Sequence, residues 1–177
     1  MARVQRTITE IEPHDSVERY QGLGVDVEIG EGVVLSPWHV RVNGKTISTR
    51  NIVIASGAEP FVPPIDNLES VDYLTSNNLW ELQERPDRMV VLGGGPIGTE
   101  LTQALGRLGS QVTQVELLPN ILPSEDEEFS SMVQAQLETE GVNVLTGHRA
   151  ESVVDEDTGH ALKVVDGEGA EKLIPFD

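Results

Sequence analysis

Val90-Val91-Leu92-Gly93-Gly94-Gly95-Pro96-Ile97-Gly98-Thr99-Glu100 decides how this chain folds. An apolar run ends in three glycines and opens onto a helix start, and Gly93, Gly95 and Gly98 stand in the G-x-G-x-x-G spacing of a dinucleotide site. Each glycine has a physical task. Gly93 permits the sharp turn off the strand. Gly95, lacking a side chain, lets a pyrophosphate approach the backbone. Gly98 lets the helix lie close against the strand. Gly94, Pro96 and Ile97 complete the turn and the first helical residues, where free N–H groups and a partial positive charge face the phosphates.

The residues that follow supply the context this fingerprint needs. Ile97, Leu101, Ala104, Leu105 and Leu108 fall on one helical face. Gly109 sits where a C-terminal helix glycine belongs. Val112-Thr113-Gln114-Val115 reads as a second strand, closed by Glu116 and Leu117. Glu116 lies 18 residues past Gly98, near the spacing of about 20 at which a carboxylate meets an adenosine ribose. A glycine-rich turn that only packs a helix onto a sheet explains Gly98 but not the whole set. An S-adenosylmethionine-dependent methyltransferase also uses a glycine turn and an acid after the second strand. Gly98 as a third glycine argues against that class, as do the flanking β-meanders. A stand-alone nucleotide-sensing module and an interaction module with a vestigial site remain as further alternatives.

At 177 residues the chain holds one domain or two small ones. It has no cysteine, so thiol catalysis, thiolate metal sites and disulfides within the chain are excluded. A net charge of −18 argues against nucleic acid as a partner. No apolar run is long enough to span a membrane and no signal peptide is visible, so we expect a cytoplasmic protein.

Two β-rich segments flank the glycine turn and resemble each other. Gly24–Gly30 and Gly141–Gly147 both read G-V-x-V-x-x-G. Short alternating stretches follow the first: Val33–Leu35, His39–Val42, an Asn43-Gly44 hairpin turn and Thr46–Ser48. The second is followed by 151–154, 161–165 and 171–174, with turns at Asp157-Thr158-Gly159 and 166–169. After the first meander comes the apolar strand Asn51-Ile52-Val53-Ile54-Ala55. The second stops at Ile174-Pro175-Phe176-Asp177, where such a strand is due, so both ends read as cut from something larger. Pro60–Ile65 is an extended crossover. Thr75 or Ser76 caps a short helix over 78–82. A second full helix spans about 125–140, with a Ser124/Glu127 capping box and a buried face of Phe129, Met132, Val133 and Leu137.

Ile52 to Pro60, Val90 to Glu100 and Gly109 to Glu116 together resemble the pyridine nucleotide–disulfide oxidoreductase family of two-dinucleotide flavoproteins, in particular its mercuric reductase-like and lipoamide dehydrogenase-like members. The resemblance implies an α/β fold: residues 1–72 as the β-meander portion of an FAD-binding domain, and 73–177 as a Rossmann-like NAD(P)-binding domain lacking its last strand. It places Gly32, Ser56 and Gly57 near the FAD adenosine diphosphate, with Ser56 in place of the usual threonine, and the main chain of Ala150 near the adenine. Glu100 matches a glutamate that pairs with a lysine beside the flavin; the resemblance puts that lysine ahead of this chain. In the intact enzyme NADH would pass a hydride from nicotinamide C4 to flavin N5, and the protein would be a homodimer. The family's FAD glycine turn, C-x₄-C redox pair and C-terminal interface domain are not in this chain, so the chain by itself is expected to catalyse nothing.

A carboxylate at Glu116 accepts from the ribose hydroxyls and repels a 2′-phosphate. Family members selective for NADP place arginines just after this strand. Here stand Leu117, Leu118, Pro119 and Asn120, so NAD(H) is expected over NADP(H). His14, His39, His148 and His160 have no acid or thiol partner at a recognisable spacing and read as surface or strand histidines. Glu125-Asp126-Glu127-Glu128 reads as a dipole-stabilised helix start rather than a metal site. Lys45, Lys163 and Lys172 are the only lysines. This acid-rich, lysine-poor composition fits a salt-adapted source and an ordinary acidic protein equally. A melting temperature that climbs between low and molar salt selects the first; a flat one selects the second.

Overall fold

The computed structural model describes residues 2–156 and 159–177. The chain divides into two compact units, Met1–Phe61 and Val62–Asp177. Asp157 and Thr158 of the expected turn lie outside the described residues.

The first unit opens with two helices in a polar stretch where no element is expected, α1 (Ala2–Ile11) and α2 (Val17–Gly22). Ser16 starts α2 by accepting the Arg19 N–H at 3.2 Å. An antiparallel meander follows: β1 (Val33–Ser36), β2 (His39–Val42) and β3 (Lys45–Ser48), with Val40 opposite Ile47. Asn43 and Gly44 turn the second hairpin with φ of 49° and 76°, the double positive φ that Asn-Gly adopts readily. Val42 is the only buried hydrophobic side chain among the described residues of this unit.

Two strands expected here do not form. Gly24–Gly30 and Asn51–Ala55 carry no ladder, and Val53 and Ile54 are 88% and 73% exposed. A strand exists only through a partner's backbone groups. In this unit β1, β2 and β3 pair among themselves, and no parallel strand offers these two segments an edge.

The second unit has three layers. Its centre is a parallel sheet of β4 (Arg88–Leu92), β5 (Gln111–Val115) and β6 (Asn143–Leu145), in that order. Helices α3 (Pro96–Arg107) and α4 (Glu127–Thr139) connect these strands and lie on one face. The meander β7 (Arg149–Glu156), β8 (Gly159–Val165) and β9 (Glu171–Phe176) covers the other. Strand alternation assigns the side chains. Val115, with Val90 and Leu145 packed beside it, joins Val153, Leu162, Val164 and Ile174 of the meander in one core. On the helix side, Val144 packs against Ile121, Leu137 and Val142. The end of the crossover, from Val62, belongs to this unit: Ile65 is buried in the meander core, and Asp66 pairs with Glu151 and Val153 through backbone bonds of 3.0 and 2.8 Å.

The helix faces differ from those expected. α3 buries Thr99, Thr102 and Leu105, whereas Ile97, Ala104 and Leu108 are exposed. Its contact stripe runs through Gly98, Thr102 and Leu105: the close approach at Gly98 leaves room for Thr99 and Thr102 beside it, and Leu105 is buried further along the helix. α4 buries Ser130 and Leu137, with Val133 half-buried, while Phe129 and Met132 are 57% and 62% exposed. The capping box does not form. Asp126 stands at the N-cap without a side-chain bond, and Ser130 Oγ instead donates to the Ile121 carbonyl at 2.6 Å. The expected short helix over 78–82 is a 3₁₀ turn, Leu79–Glu81.

Glu140, at the end of α4, ties the two helices together. It takes a two-pronged bond from Arg107 at 2.6 and 2.8 Å and a third from Gln136 at 2.7 Å. The Arg107 bonds, then Gln136, hold its carboxyl at about 2 instead of the ordinary 4.5. A depressed folded-state value stabilises the fold above the unfolded value, and that contribution is lost as pH falls from 4.5 towards 2. Glu140→Gln should therefore lower the melting temperature at neutral pH and flatten its acid limb; circular dichroism melts across this range read both.

Candidate functional site

The glycine turn joins β4 to α3 beside the end of β5. Gly93 has φ of 100° and donates its N–H to the Val115 carbonyl at 2.8 Å. A Cβ on Gly98 would stand 2.3 Å from the Gly93 carbonyl oxygen, so the third glycine is needed for close packing. A Cβ on Gly95 would meet nothing within 4 Å. Gly95 is the N-cap of α3 and Pro96 its first residue, where a missing N–H costs nothing. The turn thus has one crowded side, at Gly98, and one open side, at Gly95.

Glu116 sits at the centre of the site and is buried, at 9% exposure. Its Oε2 accepts the Gly94 N–H and its Oε1 accepts the Leu118 N–H at 2.7 Å. Its own N–H donates to the Leu145 carbonyl at 2.8 Å, and its carbonyl accepts from His148 N–H at 3.0 Å. Gly94 therefore has a role the spacing alone does not reveal: a Cβ there would fall 2.9 Å from Ile121 and 3.0 Å from Glu116 Oε2. The loop after β5 folds over the turn, with the Leu122 N–H donating to the Gly94 carbonyl at 2.6 Å and Leu122 itself at φ of 48°. Leu117 and Ile97 are exposed, at 61% and 64%.

Sequence reasoning missed Gln114 and Thr99. Gln114 is fully buried and donates Nε2 to the Gly93 carbonyl at 3.1 Å and to Thr99 Oγ1 at 3.2 Å. Thr99 Oγ1 donates to the Gly94 carbonyl at 3.2 Å. The available signal was an amide two residues after Val112, on the same face of the strand as that buried valine.

A family model described as pyridine nucleotide-disulphide oxidoreductase matches residues 3–177. This chain belongs to that family. It is 34% identical to a mercuric reductase of Staphylococcus aureus over 92% of this chain and 29% of that protein. It is also 34% identical to a dihydrolipoyl dehydrogenase of Acholeplasma laidlawii, over 87% of this chain and 46% of the relative. Among solved structures, the HOCl-induced flavoprotein disulfide reductase RclA from Escherichia coli is similar with a TM-score of 0.73 at 26% identity, covering 97% of this chain and 40% of that one. Water-forming NADH oxidase from Lactobacillus brevis bound to NADH is similar at 0.67 and 26%, covering 90% and 38%. The chain spans less than half the length of each of these relatives.

The other residues singled out by the family resemblance are placed as follows. Glu100 is exposed and is the fifth residue of α3. Ala150 lies half-buried on β7 against the meander core. Gly32, Ser56 and Gly57 are exposed in the first unit; Gly57 has φ of 71° with open space about it. Of the histidines, His160 departs from expectation: its Nδ1 lies 2.9 Å from Asp155 Oδ1, because β7 and β8 place the two residues opposite each other. The carboxylates at 126–128 form the N-cap and first turn of α4. Among the described residues, no helix is long and apolar enough to cross a membrane.

The two sides of the turn predict opposite mutational outcomes. Gly98→Ala forces a Cβ onto a backbone oxygen and should destabilise the protein by roughly 1–3 kcal/mol or more. Gly95→Ala has space and an ordinary φ of −70°, so the melting temperature should hold while nucleotide binding falls. Thermal melts and a nucleotide titration on both variants separate the two effects.

Proposed function

We propose that this chain supplies the pyridine-nucleotide half of an FAD-dependent oxidoreductase and that its second unit binds NAD(H) in preference to NADP(H). The observation that carries this reading is the buried Glu116 carboxylate held against the glycine turn, next to the open edge at Gly95. The site fits the dinucleotide. Gly93 to Gly98 and the N-terminus of α3 would hold the pyrophosphate, Glu116 the adenosine ribose, and Leu117 and the Ala150 main chain would border the adenine side. When bound, the nicotinamide supplies a hydride to an acceptor. The protein's part is to bind, orient and set the local charge.

Coenzyme choice follows from charge. Each Glu116 oxygen keeps lone-pair capacity for a ribose hydroxyl beside its amide bond. A 2′-phosphate would instead bring a second anion against a buried carboxylate, and residues 117–123 contain no Lys or Arg to meet it.

For FAD, the described residues of the first unit make no phosphate cradle: Gly32, Ser56 and Gly57 are exposed, and no strand–turn–helix accompanies them. We propose that they contribute to a flavin site only within a larger enzyme, and that Glu100 pairs there with a lysine beside the flavin. The short span of the chain against its relatives favours this over a self-contained sensor. A cytoplasmic homodimer is the assembly we propose for the larger enzyme.

Calorimetric titration with NADH and NADPH tests the reading. NADH should bind at least tenfold more tightly, a difference of about 1.4 kcal/mol. Glu116→Ala, checked for folding by circular dichroism, should abolish that preference. Equal affinity for the two nucleotides in the unmodified chain refutes the assignment of Glu116.

A further inference from the structure

We infer that Gln114 is a positioning residue for the pyrophosphate turn, an inference that rests on the dinucleotide reading above. The Gly93–Gly94 peptide is gripped at both ends by side chains of one strand. Its C=O accepts from Gln114 Nε2 at 3.1 Å, and its N–H donates to Glu116 Oε2. Residues two apart on a strand share a face, and the C=O and N–H of a trans peptide point in opposite directions. Gln114 and Glu116 are therefore placed to bracket that single peptide plane. The next carbonyl, of Gly94, is held by Thr99 Oγ1 at 3.2 Å, and Thr99 itself accepts from Gln114 at 3.2 Å.

The amide orientation is unambiguous, because a backbone carbonyl can only accept. Turning Nε2 to the Gly93 oxygen leaves Gln114 Oε1 buried without a hydrogen-bond partner. A buried acceptor in that state costs stability. Gln114 lies opposite Val91 in the sheet, at a position where an apolar residue would pack without that cost. The amide is thus a stability liability whose one structural return is the orientation of the turn. When ribose hydroxyls add to Glu116, the Gln114 bond holds the other end of the peptide plane and keeps the Gly95 edge facing the phosphates.

Gln114→Met conserves length and removes both donor and orphan acceptor. The melting temperature should change little, because loss of the orphan Oε1 offsets loss of the donor to the Gly93 carbonyl. Affinity for NADH and for ADP-ribose should fall about tenfold each, with adenosine, followed by NMR titration, unchanged. Amide exchange at Gly94 should quicken. Thr99→Val should weaken the same two ligands, and the double variant should lose little more than either single one. Unchanged NADH and ADP-ribose affinity, or an equal loss for all three ligands, overturns the inference. If the unmodified chain binds no NADH, the dinucleotide reading itself falls. Gly94 exchange then decides the clamp alone: faster in Gln114→Met supports it, unchanged refutes it.

Discussion

The second unit depends on the contact between Gly98 and the carbonyl oxygen of Gly93. No side chain fits there, so the first turn of α3 rests directly on the end of β4. That closeness fixes the depth of the helix over the sheet and hence what its inward stripe can carry. Thr99, Thr102 and Leu105 fill it, and Ile97 and Leu108 are turned outward. The same contact fixes where the peptide planes of the turn point. With the inner side of the turn occupied, the N–H groups at the helix start remain toward open space at Gly95.

The layers divide the work around that contact. Toward the meander, β5 presents Val115, which joins an apolar core with Val153, Leu162, Val164 and Ile174. This face supplies the hydrophobic stabilisation expected of buried branched side chains. Toward the helices, the same strand presents Gln114 and Glu116, both buried and both bonded to the turn. The buried polar side chains of this segment therefore lie on the face where backbone groups of the turn can bond them. Glu140 and Arg107 tie α4 to α3 on that face, and the loop after β5 bonds to Gly94 through Leu122 and to Glu116 through Leu118.

What could be read from the sequence was what depends on near neighbours. The strand–turn–helix from Val90, the helix end at Gly109, the Asn43-Gly44 hairpin and the second meander all rest on local periodicity and local φ requirements, and all are present. What could not be read depends on partners far along the chain. Gly24–Gly30 and Gly141–Gly147 share one pattern, yet only the second contributes a strand, because β5 lies alongside to receive Asn143–Leu145. Ile52–Ala55 is as apolar as β4 and stays unpaired for the same reason. The burial of Ser130 in place of Phe129 follows from a bond to Ile121, a residue no helical wheel includes. The position of Glu116 just past the second strand was legible from its spacing. Gln114 was not, since its meaning lies in the turn folded against it.

The state of Glu116 bears on how such a site binds at all. A buried carboxylate without partners is costly, and here both oxygens are satisfied by backbone N–H groups of Gly94 and Leu118. The desolvation of the charge is thus met when the protein folds rather than when a ligand arrives. Its rotamer is also set in advance, so little side-chain entropy remains to be lost on binding. The amide bonds occupy one acceptor direction on each oxygen and leave others free. On the proposed reading, a pair of ribose hydroxyls would add to the existing network without dismantling it.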